Sequence, residues 1–516
     1  MVSYLYSRNP VPVRPVEPLK TRRQKGCIIM KNRKKFPSLV LAMVMMFLAC
    51  IFLLSACQTA EDDHQTVELP PEPEDGVLTY AALNPVTREL QSSVERFNEA
   101  HTDVQIEIRD YSDDAGPQRL LLELAAGRVP DLMELQRIGR VSVSSDPSAE
   151  SLWFGEPMAA GFQSGDEWMP YRQLAQRGYL EDLWPYIEND PDFGREGVLE
   201  APLKAAEVNG GLYMLFSQVS INILMGPKAV VGERLGWTLD DLIEAFSAMP
   251  AGSTILRYNA TQRDVFFKLL SAELNQYVDW ETGQCSFENE EFRGLLAFLS
   301  SFPSTFESSL APEQMEEELV WKLVDGEQLL EPVKIGLLRD MPEFDTYFAS
   351  GASYIGYPTA DGSLGSSFII HGNKLAMSSA CQDKDAAWEF MRQMIQRRYN
   401  PNDMRTAHQN QKIRIPINRR DYELGNRVDM EREAEDIPPR FTFYGGPSYA
   451  VAVPTEDDLQ LFEQLIGSTT QIYWPDDALA NVVWESIGPY LAGDKSLDDT
   501  VALVQGRVSL YVNEQR

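Results

Sequence analysis

Val77-Leu-Thr-Tyr-Ala-Ala-Leu83, followed by Asn84-Pro85 and then by Leu90, Val94 and Phe97 at helical spacing, opens the part of this 516-residue chain that decides its fold. The first run is almost wholly apolar and reads as a buried strand. Asn84-Pro85 reads as a helix cap followed by a first-turn proline. Val104-Gln-Ile-Glu-Ile108 alternates as a strand, residues 118–126 read as a helix stopped by Gly127, and Pro130-Asp-Leu-Met-Glu-Leu135 supplies a third strand. A β-α-β-α-β order predicts an α/β fold with a parallel sheet, because a strand that returns through a helix re-enters in the same direction.

Downstream the pattern continues with one interruption. Residues 138–168 are rich in Ser, Gly and Asp yet hold Trp153, Phe154, Phe162 and Trp168, which marks an irregular insertion. Residues 171–187 return to helix. Leu212-Tyr-Met-Leu-Phe216 and Ile221-Asn-Ile-Leu-Met225 read as two strands, and Thr238 reads as the N-cap of a helix. Amphipathic helices dominate to about residue 330. Residues 354–359 and 375–377 read as short strands, residues 385–395 as a strong amphipathic helix, and the chain from residue 457 as helices. No internal repeat is visible.

The other end of the chain carries an address. Lys31-Asn-Arg-Lys-Lys35 precedes an apolar run from Leu39 to Leu54 and then Leu54-Ser55-Ala56-Cys57. A positive segment, a hydrophobic segment and small residues before a cleavage point form a secretory signal. Ending on cysteine, it resembles a bacterial lipobox, which implies diacylglycerol on the Cys57 thiol and a mature chain that starts there. A transmembrane helix is the competing reading, but a span needs about 20 apolar residues and this run is shorter. Residues 1–29 fit neither and read as a gene-start extension before Met30, with 30–56 the signal. Residues 57–76, with Pro70-Pro-Glu-Pro-Glu-Asp75, read as a disordered tether.

Charge and composition exclude several functions. The chain carries a formal net charge of −31, and residues 1–56 contribute ten Lys and Arg against Glu17 alone, so the mature part is more acidic still. Such a surface has nothing to neutralise phosphates, so no nucleic-acid partner is expected, and it is repelled by anionic lipid. Any membrane attachment must then come from the lipid anchor. Of the five cysteines only Cys285 and Cys381 remain after Cys57, and the sequence leaves open whether they pair. Four scattered histidines and no CxxC argue against a zinc site. The stretch Asp279 to Glu290 has acids at the first, third and twelfth positions of a calcium loop, but Gln284 stands where glycine is required, so a turn at Thr282-Gly283 is the better reading. No nucleophile elbow, phosphate loop or zinc-protease motif occurs. Neighbouring acids are numerous by composition alone, so no catalytic pair, cofactor or metal is expected.

Several segments taken in order carry a family resemblance. They are Gly127-Arg-Val-Pro-Asp-Leu132, Tyr179-Leu-Glu-Asp-Leu-Trp-Pro-Tyr186, Asn209-Gly-Gly-Leu-Tyr213, Gly236-Trp-Thr-Leu239, residues 354–362, Lys384-Asp-Ala-Ala-Trp-Glu-Phe390 and Gly493-Asp-Lys-Ser-Leu497. Between about Val77 and Asn513 the chain resembles the extracellular solute-binding proteins of ABC importers, the class that includes maltodextrin-binding protein. The resemblance implies a two-lobed α/β fold of the periplasmic-binding-protein kind with crossover hinge strands. Lobe 1 would comprise 77–213 plus 360–440, and lobe 2 would comprise 214–359 plus 441–516. The crossings would fall at 212–216, at 357–359 and near Phe441–Tyr444. It also implies a monomer on the outer face of the cytoplasmic membrane, an oligosaccharide as solute and membrane permease subunits as partners. A glycan-capture or sensory lipoprotein without a permease, and a surface glycoside hydrolase, are the alternatives.

A sugar site pairs apolar platforms with amides, carboxylates and arginines placed at strand ends. Asn84 follows the first strand, where it either caps the next helix or faces ligand. Gln136 and Arg137 follow the third strand. Gln218, Ser220 and Asn222 alternate and so share one face. Tyr357 sits at a crossing as platform or core. Trp184, Trp237, Trp388 and Trp484 lie in helical patterns and read as packing.

Overall fold

The computed structural model describes residues 76–137, 167–191, 193–256, 260–305, 322–323, 325–395, 399–409, 414–432, 440–441, 448–449, 451–473 and 477–514. Cys57, the leader, the tether, most of the 138–168 insertion and Tyr444 lie outside them.

The chain is mixed α/β. Strands β1 (Val77–Ala82), β2 (Gln105–Asp110) and β3 (Leu132–Glu134) pair in parallel with β1 in the middle. Helix Arg88–Ala100 leads from β1 to β2 and buries Leu90, Val94 and Phe97, the expected stripe. Its cap is Thr87, whose hydroxyl accepts from the Leu90 N–H, so Asn84 is not the cap. Asn84 lies too far before the first helical turn and is engaged elsewhere. Helix Gly116–Ala125 leads on towards β3 and ends at Gly127, whose φ of 77° only glycine adopts cheaply. Short β4 (Gln136–Arg137) pairs antiparallel with β5 (Glu167–Trp168).

The expected strands 212–216 and 221–225 are one strand, β6 (Leu215–Pro227). Val219, Ile221 and Ile223 alternate with Gln218, Ser220 and Asn222, so the polar residues that seemed to interrupt it are its second face. A hairpin of β7 (Val278–Asp279) and β8 (Gln284–Cys285) turns at Gly283, φ 77°, while the Asp279 carboxylate accepts from the N–H groups of Glu281 and Thr282. That carboxylate is therefore a turn brace. β9 (Glu331–Ile335) and β10 (Ala352–Ser353) lie on one edge of β6. β11 (Ser367–Met377) lies on its other edge, antiparallel both to β6 and to β3, so only part of the sheet is parallel. β12 (Ile415–Pro416) also pairs β6, β13 (Arg440–Phe441) pairs β14 (Ser448–Tyr449), and β15 (Gln471–Ile472) pairs β11.

Among the described residues two large cores and a small third cluster of Leu337, Met404 and Val428 fill the fold. The first holds Tyr80, Phe97, Phe216, Ile221, Phe368 and Phe390. The second holds Leu224, Trp237, Phe266, Phe292, Ile355 and Val504. Among the described residues the chain passes between these two cores several times. β6 contributes Ile221 to the first and Leu224 to the second; Tyr354 belongs to the first and Ile355 to the second; Ile472 belongs to the first and Leu479 to the second. Trp184, Trp237, Trp388 and Trp484 pack as read. Trp237 is buried with its Nε1 donating to the Gly356 carbonyl, and Thr238 closes a capping box with Asp241.

Candidate functional site

The ends of β1 and β3 are held by one carboxylate. Glu134 is buried, and its Oε2 accepts from the N–H groups of Leu83 and Asn84 at 2.8 and 2.9 Å and from Asn84 Nδ2 at 2.8 Å. Its Oε1 accepts from the Tyr80 hydroxyl at 3.0 Å. Burial raises the Glu134 pKa, and the bonds from Asn84, Tyr80 and Leu83 work against that rise. Asn84 Nδ2 also donates to the Gln136 carbonyl at 2.8 Å. The two strand ends are thus tied into one rigid lip.

That lip borders a cleft of about 500 Å³, within the range usual for small-ligand sites. Asn84, Gln136, Gln218, Lys374, Asn418 and Asp421 are among its walls. Part of its wall is a bulge in β11, where the register with β6 shifts between His371 and Lys374. Gly372 sits there at φ 74°, and a Cβ on it would lie 2.7 Å from Ser217 Oγ. The bulge leaves Asn373 exposed and turns Lys374 inward, its Nζ donating to the Gly372 carbonyl at 3.0 Å.

On the face of β6 turned from the first core, Gln218, Ser220 and Asn222 follow one another. Gln218 Oε1 accepts from the Arg414 N–H at 2.6 Å, and Ser220 Oγ lies 2.8 Å from His371 Nε2. Asn222 Nδ2 donates to the Tyr357 hydroxyl at 3.2 Å. Burial, and then the positive charges of Arg414, Lys374 and Lys334, push the His371 pKa down to about 3, so this imidazole is neutral at any physiological pH.

The sequence candidates separate accordingly. Asn84, Gln136 and Gln218 come together around the cleft. Ser220 and Tyr357 do not line it: both are buried, Ser220 beside His371 and Tyr357 in the second core. Arg137 lies in β4, next to Gln136. Trp153 lies outside the described residues, and Tyr171 is buried with its hydroxyl donating to the Ala206 carbonyl. Sequence reading passed over Asn373, Lys374, Asn418 and Asp421. Gly372-Asn373 inside an otherwise apolar strand pattern was the available signal, because glycine within a strand marks a bulge or a close approach. Cys285 and Cys381 are free thiols, and burial raises the Cys381 pKa to about 12.

Solved structures similar to this chain include several sugar- and solute-binding proteins. The periplasmic oligogalacturonide-binding protein of Yersinia enterocolitica matches at 13% identity with a TM-score of 0.49, over 85% of this chain and 99% of that one. The sugar-binding protein MalE of Xanthomonas citri matches at 16% identity with a TM-score of 0.47, over 85% and 98%. A de novo designed cysteine esterase matches at 12% identity with a TM-score of 0.48, over 86% and 99%. No protein-family model and no curated protein matches the chain.

Proposed function

We propose that this chain is the lipid-anchored, extracellular solute-binding subunit of an ABC importer and that it captures a carbohydrate. The observation that carries this reading is the amide-rich cleft at the lip of β1 and β3, bounded by β6, a strand shared by both cores. Asn84, Gln136, Gln218, Asn373 and Asn418 surround it, and each amide both donates and accepts, as a polyhydroxylated ligand requires. Two large cores that share β6 suit hinge closure, in which a ligand touched from both sides stabilises the closed form that a permease would recognise. The role is binding without turnover, by a monomer held at the membrane through Cys57. The lobes would be 77–213 plus 360–440 and 214–359 plus 441–516.

A thermal-shift panel of oligosaccharides, followed by calorimetry, tests this. At least one sugar should raise the melting temperature and be recovered unhydrolysed. Asn373→Ala should then weaken that sugar roughly ten- to hundredfold, the cost of removing one hydrogen bond that the bound ligand buries. Its ligand-free melting should hardly move, because Asn373 is exposed. A panel without a single stabilising carbohydrate overturns the reading.

A further inference from the structure

The polar face of β6 carries charge that capture of a neutral sugar leaves unexplained. In the ladder Lys334 of β9 stands opposite Asn222, and His371 of β11 stands opposite Gln218. Directly paired residues in antiparallel strands share a face. Lys334 is therefore in the same row as Gln218, Ser220 and Asn222. Arg414 covers the next part of that row: a Cβ on Gly336, two residues beyond Lys334, would touch the Arg414 Cδ at 2.5 Å. Lys334 is half-buried and forms no ion pair among the described residues. Burial, then Arg414, lowers its pKa. Asn222 Oδ1 is buried and has no hydrogen-bond partner among the described residues.

A half-buried ammonium beside a guanidinium costs desolvation and repulsion together. If the stem alone mattered, methionine would pack there without either cost. Acids are abundant in a chain of net charge −31, yet no described acid pairs with Lys334. We propose that this face receives an anionic group of the ligand, so that the captured carbohydrate is an acidic one whose carboxylate or phosphate meets Lys334 and Arg414. A hydroxyl next to that group would satisfy Asn222 Oδ1. The inference rests on the sugar-capture reading above.

Calorimetric titration of the full chain in detergent, with matched ligands, separates the two. The arms are glucuronate against glucose, galacturonate against galactose, their short oligomers, and glucose 6-phosphate to tell phosphate from carboxylate. An acidic member should bind at least roughly tenfold more tightly than its neutral partner, and added salt should erode the difference. Lys334→Gln should abolish the preference while leaving neutral binding in place, and Lys334→Arg should keep it. Neutral sugars that bind as tightly as acidic ones, or a Lys334→Gln variant that weakens both equally, overturn the anion site and leave sugar capture standing. If no member of either series binds the unmodified protein, both readings fall.

Discussion

Glu134 shows how one side chain makes the lip. Three donors converge on its Oε2 and the Tyr80 hydroxyl on its Oε1. Glu134→Leu would strand those donors, at about 1–3 kcal/mol for each one left buried and unpaired, so a large fall in melting temperature is expected. Glu134→Gln should fold, because its carbonyl can take the three donors while its NH2 donates to a reversed Tyr80 hydroxyl. The pH dependence tells the variants apart. The folded-state pKa of Glu134 lies above the ordinary value. Its contribution to stability is fully present below the ordinary glutamate pKa and is lost as pH rises through the raised one. Melting curves of unmodified protein and Glu134→Gln should diverge across that window, with the variant gaining relative stability as pH increases. Parallel curves would show that the carboxylate is not perturbed. None of this was legible beforehand: Glu134 sits inside an apolar strand pattern, and only the spacing in three dimensions shows that Asn84 serves it and not a helix cap.

At the level of elements, the apolar pattern identified the first three strands and the helix between the first two: β1 and β3 are buried on both faces, β2 buries Ile106, and the helix buries one apolar stripe. It failed for β6 and β11, missed β9, and expected a strand at 354–359 where the strand is the preceding β10. In β6 the polar face looked like a break between two strands. In β11 the bulge hid everything before Leu375, since Gly372 and Asn373 are turn-forming residues in the middle of a strand. The bulge itself is open to test. Gly372→Ala forces a side chain into the left-handed region, costing about 1–2 kcal/mol, and drives its Cβ against Ser217 Oγ. We expect a lower melting temperature together with weakened sugar affinity, because Asn373 and Lys374 would leave their positions on the cleft wall. A variant with lowered stability and unchanged affinity would show that the bulge shapes the strand and not the site.

For the whole molecule, the α/β class was readable because alternation of strand and helix survives any error in their boundaries. The candidate cleft was readable at strand ends, as at Asn84 and Gln136, and at Gln218 through the alternation of β6. Lys374 and Asn418 arrive from distant parts of the chain and leave no local trace. The proposed attachment to the membrane concerns the whole chain too, and charge bears on how it would occur. At −31 overall, with a leader that carries net positive charge, the part beyond Cys57 is repelled by anionic lipid. No helix among the described residues is long and apolar enough to cross a membrane. Retention would then rest on the lipid at Cys57, and one acyl chain binds only weakly while two anchor stably. Cys57→Ala should therefore move the protein from the membrane pellet to the soluble or secreted fraction, and metabolic labelling with a radioactive fatty acid should lose its band. If the variant stays in the pellet through high-salt washing, residues 39–54 hold it as an uncleaved span, and the lipid anchor is wrong.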